Sequence, residues 1–172
     1  MIILRIAKIA TAASIAAFFT LVTFGNLTDY DTNLAFVQHV MAMDTIFATS
    51  SIGYRAITDP VLHHAVYALI IATQAAISVL SWAGVFRLLR HVRDEAARFN
   101  RAKDLTILGL TLGFLLYQVG FVTIGGEWFG MWMSPQWNGV PGAFRFLMTI
   151  IAVLIFISLP DTEPMPRARD RE

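Results

Sequence analysis

The chain contains no cysteine. Disulfides, thiolate catalysis and cysteine-ligated zinc or iron–sulfur sites are therefore excluded, and the redox compartment cannot be read from it. Charge is also scarce. Asp, Glu, Lys and Arg make up 15% of the 172 residues, against about 25% in an ordinary soluble domain. The net charge of +1 provides no bulk attraction for nucleic acid, so no nucleic-acid partner is expected. No catalytic or cofactor motif stands out. The chain reads as non-enzymatic, with no cofactor assigned.

What it has in excess is apolar surface: 56% of residues are hydrophobic, and the mean hydropathy is +0.62. A chain this small has too high a surface-to-volume ratio to hide that much apolar area, so the surplus must face lipid or a partner. Four long apolar runs cover roughly 6–27, 65–86, 105–124 and 143–159, with no charge in their central portions. Each has the length, about 17–25 residues, with which an α-helix crosses about 30 Å of hydrocarbon. Barrel strands would alternate over about ten residues, which these runs do not. The first run, with Arg5 and Lys8 at its start, reads as an uncleaved anchor rather than a signal peptide. The predicted fold class is an all-α membrane protein. Residues 1–160 form one four-transmembrane-helix bundle, followed by a disordered cytoplasmic tail over 161–172.

Basic residues orient such a bundle. Arg5, Lys8, Arg87, Arg90, Arg93, Arg98, Arg101, Lys103, Arg167, Arg169 and Arg171 fall on one side of a four-span arrangement, and only Arg55 and Arg145 on the other. Both termini are thus expected in the cytoplasm and the protein in the bacterial inner membrane. The basic connection between the second and third spans reads as a topology anchor, with anionic lipid headgroups as a minor alternative.

The outer connections are richer. In "IGGEWFGMWMSPQWNG", Trp128, Trp132 and Trp137 suit a headgroup-level aromatic belt, Gly125 and Gly126 let the third helix end or bend, and Pro135, Asn138 and Gly139 supply turn chemistry. In the first outer loop, Leu34, Val37 and Met41 recur at helical spacing, as do Phe36, Val40, Met43 and Phe47. This predicts an amphipathic interfacial helix with Asp31 as its N-cap.

Small residues provide the packing faces. Gly109, Gly113 and Gly120 mark the third helix, and helices in lipid associate largely through such close approach. Gln74 and Gln118 fall near mid-membrane on antiparallel helices, which predicts a mutual hydrogen bond. On the outer side Glu127 and Arg145 are expected to form a structural ion pair between the third and fourth helices. Asp44, Arg55, Trp128, Trp132 and Trp137 are the candidates for interface or partner contact. His39, His63 and His64 are the candidates for a ligand role. Their spacing matches no metal signature, and adjacent His63 and His64 point about 100° apart on a helix, so no metal site is assigned.

The stretches "NLTDYDTNLAFVQHVMAMDT", "YRAITDPVLHH", "FNRAKD", "IGGEWFGMWMSPQWNG" and "AFRF" make the chain resemble a bacterial family of predicted small integral membrane proteins of unknown function. The likeness covers nearly the whole chain. It implies a four-helix inner-membrane protein and no established activity. The family pattern often has Trp at Tyr54, Gln at Met133 and a carboxylate at Gln74, and the last departure argues against a mid-membrane proton relay. The functional expectation is an accessory or scaffold subunit whose outer loops dock a larger membrane complex, in contact with the lipid bilayer. A lipid- or quinone-binding protein or enzyme acting at the outer interface is the alternative, and a small transporter the third reading.

Overall fold

A computed structural model of the chain describes residues 2–162. Helix α1 spans Ile2–Thr28, α2 Tyr30–Ala42, α3 Pro60–Arg90, α4 Ala96–Ala102, α5 Asp104–Leu115 and α6 Val140–Ser158. The third crossing does not stop at Leu115. It runs on as a π-helix over Leu116–Trp128, so α4, α5 and this continuation make one apolar rod, Ala96–Trp128. Four rods are long and apolar enough to span a membrane: Ile2–Thr28, Pro60–Arg90, Ala96–Trp128 and Val140–Ser158. Only 22–39% of the most apolar window of each is buried inside the bundle, so most of this apolar surface faces outward, as lipid requires.

The first three crossings are longer at both ends than the apolar runs alone suggest, while the fourth starts earlier, at Val140, and ends at Ser158. The second begins at Pro60, whose fixed φ suits a first helical turn, and Asp59 caps it by accepting from the Val61 N–H at 2.8 Å. The first outer loop contains the predicted helix, α2. It starts directly after α1, with Asp29 rather than Asp31 at the N-cap position and without a side-chain cap bond. Asp31 lies in the first turn instead, where its charge still complements the helix dipole.

Helix α3 lies between α1 and α5, and α6 packs on α5 and its π-helical continuation. Their shared core includes Ala12, Phe19, Ile77, Leu88, Leu110 and Ile150. A second core caps the end opposite the termini. Leu34, Val37 and Met41 of α2 pack with Met43, Tyr67, Ile71 and Phe129. The first loop is tied down by Ile57 N–H donating to the Met41 carbonyl at 2.8 Å, and to the second loop by a 2.7 Å hydroxyl bond between Thr45 and Ser134.

Small residues set the α3–α5 crossing. A Cβ on Gly84 would meet the Thr106 backbone nitrogen at 2.6 Å, and one on Gly109 would meet Ser81 Oγ at 2.8 Å. Gly113 makes room for the Phe19 ring at 3.1 Å. Gly120 meets only Leu116 of its own rod, at an ordinary 3.7 Å, and is not at a close approach. Gly125 and Gly126 do not end the third helix, which continues through them. The turn comes at Gly130, whose φ of 64° lies in the left-handed region glycine tolerates best.

Candidate functional site

At the end carrying the termini, three cations converge on one carboxylate. Lys8 Nζ and Lys103 Nζ donate to the same oxygen of Asp161, at 2.8 and 2.7 Å, and Arg5 Nε stands 3.5 Å from the other. These side chains are 1–5% exposed. Both ammoniums also donate to the Leu159 carbonyl, at 2.6 and 2.8 Å, neutralising the electronegative end of α6. Arg5 Nη1 donates to the Val92 and Asp94 carbonyls, and its guanidinium lies over the Phe99 ring at 4.6 Å. Asn100 grips the Asp161 backbone at both ends, donating to its carbonyl and accepting from its N–H. Burial alone would push the Asp161 carboxyl up; the hydrogen bonds from Lys103 and Lys8 outweigh it and hold the carboxyl below the usual carboxylate range. Nearby, the hydrogen bond from His91 holds Asp94 below that range as well.

Between the ends, the polar side chains pair across helices. Gln74 does not meet Gln118. Its Oε1 accepts from Asn26 Nδ2 at 2.6 Å, and Tyr67 Oη donates to the Asn26 carbonyl at 3.0 Å. The partner lies on α1 because α3 turns its Gln74 face toward that helix, whereas Gln118 falls within the π-helix and gives its carbonyl to Thr123 Oγ1. Thr20, Ser78 and Trp82 form a second set, with Trp82 Nε1 donating to Thr20 Oγ1 at 3.0 Å.

At the loop end the predicted residues separate into those engaged within the fold and those left accessible. His39 Nδ1 is 2.7 Å from Asp44 Oδ2, and the His39 ring stacks on Trp137 at 4.4 Å between centroids. His63 is buried, with Nε2 at 2.7 Å from the Ile57 carbonyl. His64 stacks on Tyr30 and bonds its hydroxyl at 2.9 Å. The three histidines thus have three separate partners. Glu127 and Arg145 form no ion pair among the described residues. Glu127 instead borders an open groove of about 340 Å3 with Arg55, Thr123, Ile124 and Trp128. Arg55 lies over the Trp128 ring at 4.6 Å and donates to the Trp128 carbonyl at 3.2 Å. The π-helix carries Glu127 to the Arg55 side of the bundle. Trp128 and Trp132 are half exposed; Phe47 packs edge-on against Trp132 at 5.8 Å.

The family model for predicted small integral membrane proteins (DUF2165) matches residues 4–160. The chain belongs to that family. No curated protein and no solved structure matches it. The four candidate transmembrane helices of this DUF2165 protein make it a multi-pass integral membrane protein and agree with the family's description as predicted small integral membrane proteins.

Asp161 is the residue that sequence reasoning missed. Placed in the predicted disordered tail, it is buried and holds three cations; the tail from 163 onward lies outside the described residues. In the sequence, Lys8, Lys103 and Arg5 carry a topology signal. A further usable signal was present in Lys8, which lies just inside the start of a lipid-length run, where a charge must either reach the interface or find a counter-charge.

Proposed function

We propose that this protein is a non-enzymatic accessory subunit of the bacterial inner membrane, with both termini cytoplasmic, that docks a larger membrane complex through its loop end. The observation that carries this reading is the folded cap. It has its own buried core, yet holds Phe47, Tyr54, Trp128 and Trp132 at 49–79% exposure. Large aromatic rings fixed in advance are the side chains that anchor protein interfaces, because little conformational freedom is lost on binding. The excess of Lys and Arg at the terminal end supports the orientation.

Purification of tagged protein from native membranes in mild detergent tests this. A stoichiometric partner retained by the wild type and lost by Tyr54→Ala/Trp132→Ala supports it. A monodisperse monomer without a partner overturns it. A reporter fused at residue 93 is expected to be cytoplasmic, and a periplasmic signal there reverses the orientation.

A lipid or quinone bound at the loop end is the second reading, supported by the groove between Arg55, Glu127 and Trp128. Mass spectrometry of co-purified organic molecules separates the two. His39, Asp44 and His63 lend that reading little, because they are engaged within the fold. Transport has less support, since Asn26, Gln74, Thr20, Ser78 and Trp82 within the spans are bonded to one another.

A further inference from the structure

The terminal end bears a second set of cations, disposed differently from the set around Asp161. Where the last turn of α3 meets α4 lies an open hollow of about 270 Å3, lined by Arg87, His91, Arg98, Arg101 and Ala102. Arg87 and His91 are four residues apart at the end of α3; Arg98 and Arg101 are three apart on α4. These spacings bring each pair to one helix face. Among the described residues, no ion pair involves Arg87, Arg98 or Arg101. The Asp94 carboxylate, which also feels Arg98, is bonded by His91 Nδ1 at 2.8 Å.

Like charges gathered in one hollow repel one another, and an anion seated among them relieves that repulsion. Guanidinium is planar and donates in pairs, which matches phosphate oxygens in geometry as well as charge. The hollow sits at the end of a helix long and apolar enough to cross a membrane, and anionic headgroups gather at such ends where basic residues cluster. Its volume is several times the roughly 30 Å3 that one water occupies in the liquid, enough for a phosphate and the carbons that carry it.

We propose that this hollow is a binding site for a phosphate-bearing anion, seated between the arginines of α3 and α4. A phospholipid headgroup and a soluble phosphate share that chemistry. Phe99 anchors α4 from the buried side, while Arg98 and Arg101 are exposed, so their replacement leaves the packing in place.

Native mass spectrometry of the full chain in detergent, titrated with phosphatidylglycerol, phosphatidylcholine or inorganic phosphate, tests it. Phosphatidylglycerol is expected to half-saturate one site at a concentration about tenfold below phosphatidylcholine. Arg98→Gln/Arg101→Gln should raise that concentration about tenfold or more, taking about fivefold per guanidinium removed near a charged surface. Arg87→Gln alone should raise it about fivefold. Arg90→Gln/Arg93→Gln removes equal charge from the same connection outside the hollow and should change it by less than about twofold. Lipid binding that inorganic phosphate does not displace assigns a headgroup; displacement, or phosphate binding without lipid binding, assigns a soluble ligand. Equal binding of the two lipids with no phosphate binding, or equal weakening by the two double variants, overturns the proposal.

Discussion

Replacing Asp161 with Asn is the most discriminating perturbation of this fold. It keeps the side chain's shape and leaves the two backbone bonds to Asn100 intact. It removes one negative charge from between two ammoniums that donate to a single oxygen at 2.8 and 2.7 Å. At an effective dielectric of about 20, each of those contacts corresponds to roughly 6 kcal/mol of Coulomb attraction. Desolvating the three ions consumes much of that, so the intact cluster adds little net stability. Removing one partner is different, because the remaining ammoniums stay buried, uncompensated and facing each other; breaking a buried pair costs about 3–5 kcal/mol. For a chain of this length that corresponds to a fall in melting temperature of roughly 6–20 °C.

The assay is thermal or SDS-induced unfolding in detergent, followed by tryptophan fluorescence. Asp161→Asn/Lys8→Met should recover part of the loss, since it removes one stranded charge along with the carboxylate. The pH dependence has a definite sign. The folded carboxyl is held below its ordinary value, so its charge stabilises the fold above the unfolded pKa of about 3.9 and that stability is lost as pH falls through the folded value. Wild type should therefore weaken in acid, with a shallower response in Asp161→Asn. If Asp161→Asn melts within about 1 kcal/mol of wild type, the clamp is not structural and the reasoning fails.

Gly84→Ala should cost about 1–3 kcal/mol or more, because its Cβ meets the Thr106 backbone as well as the Thr106 hydroxyl, and the backbone cannot rotate away, while Gly120→Ala should be close to neutral; the same unfolding assay compares them. Asn26→Leu and Gln74→Leu should each cost about 1–3 kcal/mol by stranding the other amide, whereas the double variant should cost less than their sum; additive losses would show that the two amides do not depend on each other. Arg55→Gln removes the cation over Trp128 and should shift tryptophan emission while changing stability by less than about 1 kcal/mol; an unchanged spectrum would place Arg55 elsewhere in solution.

The pairings show where sequence reading stopped. Gly109 and Gly113 were legible as packing positions because small residues at helical spacing announce a close approach. Gly84, the tightest of them, was not, since a lone glycine near the end of an apolar run gives no periodic signal. Glu127 and Arg145 pair in the sequence because one ends the third helix and the other begins the fourth, which fixes their depth but not the direction each faces. The π-helix over Leu116–Trp128 changes the angular position of every residue after Leu115, and Glu127 comes to border the same groove as Arg55. Gln74 and Gln118 matched in depth, but depth does not fix the direction in which a side chain faces.

Composition and local order alone determined that this chain is an integral membrane protein with four segments long and apolar enough to cross, an even number. That outcome follows from the cost of placing charge or unpaired backbone in hydrocarbon, which each segment meets independently of the others. The rotation of each helix about its axis was decided only when the helices packed. From that rotation follow the burial of Asp161 among Lys8, Lys103 and Arg5, the joining of Asn26 to Gln74, and the grouping of Arg87, His91, Arg98 and Arg101 around one hollow. Such contacts join residues up to 153 positions apart, and no local pattern encodes which faces will meet.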